Sequence, residues 1–281
     1  MKILLTGANG QLGQAFQKIL QKEGVEFLAT DLETDITNLN AMRIFVKNNP
    51  VDLIINCAAY NAVDKAEKDW KSAYLVNGIG SRNLALIANE IDAVFVNYSS
   101  DYVFDGNKGA SYSILDNPNP ISKYGESKLL GEIYTKQIAN KFYLIRTSWL
   151  FGKGNINFIT KVLEWSRNKS ELSVVVDQIS SPTYSYDLSR ITWDLLKTEA
   201  FGLYHISNSG FCSRFEWAEF ILKKIGWKGD LLTAESEDFN TAAARPKFSV
   251  LDNFGTKETV GYELQNWKDA TERFLQEKKV I

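Results

Sequence analysis

Tyr124 and Lys128, in the run Tyr124-Gly-Glu-Ser-Lys128, stand four residues apart. On a helix that spacing puts phenol and ammonium on one face. A tyrosine of ordinary pKa about 10 holds its proton too tightly to cycle at neutral pH, and a fixed cation beside it favours the phenolate and lowers that value. The pair is a tunable acid, suited to chemistry at a carbonyl or an alcohol. A solvated helix face could carry the same two residues, so the rest of the chain has to decide.

A second arrangement lies at the start of the chain. Lys2-Ile-Leu-Leu-Thr6 is a short apolar run fit for a buried parallel strand, and Gly7-Ala-Asn-Gly10-Gln11-Leu12-Gly13 leads from it into a helical pattern through Leu20. Glycines let such a turn approach a pyrophosphate, whose charge meets the free N–H groups and positive end of the helix. The spacing is G-x-x-G-x-x-G rather than the usual G-x-G-x-x-G. A strand Val25–Thr30 then ends in Asp31, eighteen residues after Gly13. An acid there accepts both ribose hydroxyls of an adenosine and repels a 2′-phosphate, and no arginine adjoins it, which favours NADH over NADPH. A helix cap or turn is the competing use of Asp31. Asp35 and Ile36, in the following turn, would flank the adenine or simply make the turn.

These residues need a scaffold, and the alternation of elements supplies one. An amphipathic helix Leu39–Val46, a strand Asp52–Asn56, a helical region Asp64–Ile91, a strand Ala93–Tyr98 and a strand Phe142–Thr147 follow in order. That pattern implies an α/β fold, a doubly wound, Rossmann-like parallel sheet with ligands at the carboxyl ends of its strands. Ala58 and Ala59, after the third strand, are small enough for a cofactor to lie against the backbone. Cys57 beside them reads as packing, since no histidine is near in sequence, and Asn77 as a tie to the sheet backbone. Ser100, just past the fourth strand, offers a hydroxyl where a substrate would lie.

After Thr147 the alternation loosens, as at the start of a smaller C-terminal substrate-binding region. Residues 1–148 form the NAD(P)-binding domain, with 172–199 returning to it, and 149–171 and 200–281 form the substrate-binding region. Trp149 could lie over a sugar or base or fill core. A helix Asn157–Arg167, a strand Leu172–Asp177, a helix Tyr184–Leu196 and a strand Gly202–Ser207 come next, with His205 as a packing residue. Ser213-Arg-Phe-Glu216 is a capping box opening a helix to Ile225. Arg245, fixed by Pro246, could grip a diphosphate with two parallel hydrogen bonds or stand in solvent. A C-terminal helix Trp267–Lys279 covers the core.

Composition narrows the partner. The chain has 281 residues, 44% hydrophobic, enough for a substantial core, and its 32 basic against 34 acidic residues give a net charge of -2. No electrostatic footprint for nucleic acid or an anionic membrane results, and no apolar run reaches membrane-spanning length. Two cysteines and no secretory leader pattern point to the cytoplasm, and with a single histidine they leave no set of metal ligands. A small molecule is the expected partner, bound by a monomer or homodimer.

Taken together, the glycine turn, Asp31, Ser100, Tyr124 and Lys128 resemble the extended short-chain dehydrogenase/reductase family. Ala62-Val-Asp-Lys-Ala-Glu67, Ser99-Ser-Asp-Tyr-Val-Phe-Asp-Gly106, Arg146-Thr-Ser-Trp149, Ser181-Pro-Thr183 and Ala244-Arg-Pro246 resemble, more narrowly, its dTDP-4-dehydrorhamnose reductase branch, from one end of the chain to the other. The resemblance implies NAD(P)H-dependent reduction of a dTDP-linked 4-ketosugar, with NADH, or NADPH, as cofactor. It assigns Tyr124 as general acid, Lys128 as its electrostatic partner and ligand of the nicotinamide ribose, and Ser100 as the hydroxyl bonded to the carbonyl, with Asp101, Trp149 and Arg245 on the substrate. The branch usually has Thr at the Ser100 position and His-Thr where Tyr60-Asn61 stand beside the cofactor. Glutamates that bridge a magnesium-dependent dimer in part of it are not evident near Gln14-Ala15, so no metal is expected. A dehydratase or epimerase on the same scaffold is disfavoured, because Asp101-Tyr102 stands where dehydratases carry Asp-Glu. A non-catalytic NAD(H)-binding regulatory subunit would have no need of a positioned acid.

Overall fold

A computed structural model describes all residues, 1–281. The first half builds β1 (Lys2–Thr6), α1 (Gln11–Lys22), β2 (Glu26–Ala29), α2 (Leu39–Asn48), β3 (Leu53–Asn56), two single turns α3 (Val63–Ala66) and α4 (Trp70–Ala73), α5 (Ser81–Glu90), β4 (Val94–Ser100), α6 (Lys123–Ile138) and β5 (Phe142–Thr147). Side chains alternate across the strands. Ile3, Leu5, Ile55 and Val96 pack under α1, whereas Leu4, Ile54 and Phe95 pack under α2 and α5. The result is a sheet buried on both faces, as parallel strands require. Tyr74–Gly80, within the expected helical region, is π-helical and runs straight into α5.

The second half begins with β6 (Leu150–Phe151), α7 (Phe158–Asn168), β7 (Glu171–Val175), β8 (Ile179–Ser180), β9 (Thr183–Tyr184) and α8 (Ser185–Leu196). It continues through β10 (Gly202–His205), β11 (Cys212–Ser213), α9 (Arg214–Lys224), β12 (Asp230–Ala234), α10 (Thr256–Val260) and α11 (Trp267–Glu277). Phe151, Val162, Trp217 and Phe274 centre a separate core, so this region buries its own apolar surface beside the sheet.

All six strands of the main sheet run parallel, in the order β10-β5-β4-β3-β1-β2. The order in which strands are added reverses at β1, between β3 and β2, and a crevice opens there at the carboxyl ends. The expected division of the chain needs two corrections. Within 172–199 only α8 returns to the first domain, packing on α1, while β7 pairs with β12 in the second region. Conversely, 202–205 belongs to the sheet, since β10 pairs with the open edge of β5. The crossover through α8 makes that parallel pairing possible, because parallel neighbours need a long connection.

Candidate active site

The turn after β1 is the tightest part of the crevice. Gly7 has φ +64°, and a Cβ there would lie 2.4 Å from the backbone nitrogen of Ala58. A side chain would therefore push the turn off the end of β3. Gly13 faces the same turn, its Cβ position 2.3 Å from the Gly7 carbonyl oxygen, so α1 sits close over β1. Gly10 caps α1 without a side-chain bond, and no acid stands in the first turn. The free N–H groups and positive end of α1 therefore open into the cleft, which Gly10, Gln11 and Leu12 line. Such a helix end fits a pyrophosphate.

Asp31 lies at the end of β2, and its carboxylate accepts the Asn9 N–H at 2.8 Å, which ties the acid to the phosphate turn. Asp35 is exposed and caps the Thr37 N–H and hydroxyl at 2.9 and 2.7 Å, a turn role. Ile36 is a core residue packed under Gly80, so its side chain does not flank an adenine. Ala59 and Asn61 line the cleft after β3. Tyr60 between them turns its hydroxyl away, to Asp69 at 3.1 Å. Asn77 grips the Tyr60 N–H and carbonyl at 2.9 and 3.1 Å and accepts no strand contact; its tie is to this loop and to Ser127 of α6, not to the sheet.

Strand β4 runs two residues past the end that its hydrophobic pattern indicates and stops on Ser100 itself. The Ser100 hydroxyl donates to Asp101 at 3.0 Å. Asp101 also accepts the Ser249 hydroxyl at 2.6 Å and the Ser180 hydroxyl at 3.3 Å. Its carboxylate is thus taken by three serines, two of them from the second region, and it orients Ser100 rather than reaching a sugar. Burial pushes Asp101 up to about 6, against the pull of the Ser249 and Ser100 hydroxyls. Asp101→Asn is expected to lower kcat about tenfold, the worth of one lost hydrogen bond, and to remove the acid limb of the pH–rate profile near pH 6. A limb that survives in the variant would show that another group titrates there.

Helix α6 brings the acid to this hydroxyl. Ser122 caps it, accepting the Gly125 N–H at 3.2 Å. Gly125 is the point of closest approach, where a Cβ would lie 2.2 Å from the Tyr102 carbonyl oxygen. The Tyr124 ring packs edge-on against Tyr102, with centroids 5.7 Å apart, and its hydroxyl lies beside Ser100 and 3.5 Å from the Asn61 amide oxygen. The Lys128 ammonium donates to the Tyr98 carbonyl at 2.8 Å.

One electrostatic expectation is reversed. Burial raises Tyr124 above its ordinary value, the Ser100 hydroxyl pulling the other way, because desolvation outweighs any effect of the lysine. Burial in turn pulls Lys128 down to about 8, against the charge of Glu132. Glu132, one helical turn beyond Lys128, is locked in a buried pair with Arg146 at 2.8 and 2.6 Å, which fastens α6 to β5. His205 completes that packing, against Arg146 and the Tyr112 carbonyl, and burial beside the guanidinium pulls it down to about 3.

The cleft holds about 350 Å³ and gathers Ser100, Asp101, Tyr124, Lys128 and Trp149 with the turn of α1. A roomier groove, about 540 Å³, runs past Phe211, Phe220 and Trp267, but none of the acid–base residues reaches it. Hydroxyls of Ser99 and Thr147 are buried at the cleft without a partner, as polar ligand groups would require. The phosphate turn, Asp31 and these hydroxyls fit a nicotinamide dinucleotide.

On the substrate side Trp149 takes a left-handed backbone, φ 42°, unusual for a bulky residue and a mark of a constrained site. One face of its indole is covered by the Arg214 guanidinium, 3.6 Å from the ring centroid. Arg245 does not line the cleft; its guanidinium pairs with Asp64 at 2.7 Å. Arg214 does line it, and the sequence shows that residue only as the second position of a capping box. No spacing signals that the start of α9 faces Ser100.

The profile of the family described as "RmlD substrate binding domain" matches residues 1–280. The spore coat polysaccharide biosynthesis protein SpsK of Bacillus subtilis (strain 168) is 37% identical, over 99% of this chain and 98% of its own length. A dTDP-4-dehydrorhamnose reductase of Clostridium acetobutylicum has a crystal structure similar to this chain with a TM-score of 0.96, at 38% identity over 99% of this chain and 100% of its own. That of Bacillus anthracis, solved in complex with NADP, gives a TM-score of 0.94 at 40% identity, covering 98% of this chain and 99% of its own.

Proposed function

Since the chain belongs to the RmlD substrate binding domain family, that of the dTDP-4-dehydrorhamnose reductases, we propose that it reduces the 4-keto group of a dTDP-linked 6-deoxysugar, dTDP-4-dehydro-L-rhamnose, with NAD(P)H. The observation that carries the reading is the convergence of Ser100, Tyr124 and Lys128 on one cleft with the glycine turn of α1. When bound, the nicotinamide supplies the hydride. Tyr124 gives its proton to the carbonyl oxygen, Ser100 turns its one hydroxyl proton from Asp101 to the same oxygen, and the Lys128 ammonium opposes the negative charge left on the phenol oxygen. Asp101 keeps Ser100 aimed.

Asp101 is the one carboxylate lining the cleft, and it is occupied by serines. Elimination of water across the sugar needs a second acid–base group, so reduction fits better than dehydration. For the cofactor, Asp31 supports use of NADH at least as well as NADPH: a 2′-phosphate about 4 Å from its carboxylate would be repelled by about 1 to 4 kcal/mol. No helix is long and apolar enough to cross a membrane.

The test is a turnover assay with dTDP-, UDP- and GDP-linked 4-ketosugars against each cofactor, with the C4 configuration of the product read by NMR. The dTDP sugar is expected to be reduced with net oxidation of the cofactor, at a kcat/KM for NADH no lower than for NADPH. No turnover with any of the sugars would favour a regulatory NAD(H)-binding subunit. A tenfold preference for NADPH would remove the role given to Asp31.

A further inference from the structure

Two cations line the cleft, Lys128 and Arg214. The first is engaged at the reacting end by the Tyr98 carbonyl. Arg214 has no carboxylate within ion-pair distance and no protein hydrogen bond from its guanidinium, whereas Arg245 spends its charge on Asp64. Burial pulls Arg214 down to about 10, so it remains protonated at neutral pH. Half-buried at the cleft wall, a guanidinium without a protein acceptor is free to meet an anion there.

Its geometry is fixed in advance. Ser213 and Glu216 close a capping box around it, at 3.1 and 2.7 Å, which sets Arg214 in the first turn of α9, where the dipole adds positive potential. Trp149 lies against the guanidinium plane at 3.6 Å and Phe158 at 4.9 Å. Stacking holds the plane and leaves its N–H edges to form two parallel bonds to an anion.

Resting on the reading of this cleft as a nucleotide-sugar site, we infer that Arg214 is the residue that binds the substrate's diphosphate, with Trp149 as the plate that orients it, and that Arg245 is a latch from the second region to Asp64. A substrate whose ketone lies at Ser100 and Tyr124 carries its two phosphates into a cleft where Lys128 is already committed. Arg214 is the cation left to receive them. The same contact sets specificity for a diphosphate over an uncharged glycoside.

Calorimetric titration with dTDP and with thymidine separates charge recognition from base stacking. Arg214→Gln is expected to weaken dTDP at least tenfold, leave thymidine and NADPH affinities within twofold, and raise the KM of the ketosugar with little change in kcat. Arg214→Lys should recover part of the dTDP affinity, and Arg245→Gln should lower the melting temperature while dTDP binding stays within threefold. Unchanged dTDP affinity in Arg214→Gln would overturn the inference. So would equal loss for thymidine, which would reduce Arg214 to a prop for Trp149. Should Arg214→Gln not fold, Arg214→Lys decides, since a dTDP affinity insensitive to salt in that variant and in the wild type rules out a charge contact. Because dTDP binding is read without turnover, a wild type that binds dTDP but reduces no ketosugar refutes the reductase reading and leaves this test standing.

Discussion

Tyr124→Phe should lower kcat for ketosugar reduction by about 10³-fold, within the range of a positioned general acid, with KM and cofactor affinity nearly unchanged. Burial raises Tyr124, so the phenol keeps its proton at neutral pH and is poised to donate in the direction of reduction. Phenylalanine preserves the packing on Tyr102 and deletes only the donor. The developing alkoxide would then have Ser100 alone, a hydroxyl that is itself tied to Asp101. Single-turnover rates at saturating cofactor are the measurement. A variant retaining more than a tenth of wild-type kcat would deny Tyr124 the role of acid.

The second large effect is at Lys128, and its pH dependence has a definite sign. The group is pulled down to about 8, so it is an ammonium below that pH and a neutral amine above it. In the proposed mechanism the cation stabilises charge on the phenol, so wild-type kcat should fall about tenfold for each unit above pH 8. Lys128→Met should lower kcat by about 10²- to 10³-fold at pH 7 and flatten that alkaline limb. A limb at the same pH in the variant would assign it elsewhere. Stability moves the other way. The unfolded chain keeps the lysine proton to a higher pH than the folded one, so this group adds stability as pH rises from 8 toward the ordinary lysine range.

Packing explains which parts of the fold the sequence could announce. Apolar runs at Lys2–Thr6, Leu53–Asn56 and Phe142–Thr147 can be satisfied only by burial on both faces, and the glycine turn at Gly7 has no side-chain alternative, so these elements and the doubly wound class were legible. Partner choice was not. Whether 202–205 joins the main sheet depends on the free edge of β5, and whether 171–175 joins the second region depends on β12, some sixty residues away. Neither fact has a local signature.

The site divides along the same line. Spacing alone puts Tyr124 and Lys128 on one helical face and Gly7, Gly10 and Gly13 in one turn, because those distances are set by helix and turn geometry. Charge partners are set by what folding brings alongside. Asp64 takes Arg245 out of the cleft, three serines take Asp101 from the substrate, and Arg214 is left against Trp149 with its charge unmet. Even the sign of the shift at Tyr124 is tertiary. Sequence supplies a cation four residues away, but the depth of the hydroxyl and the direction of the Lys128 side chain, toward the Tyr98 carbonyl, come from the packing of α6 on β4, and desolvation there sets the direction of the shift.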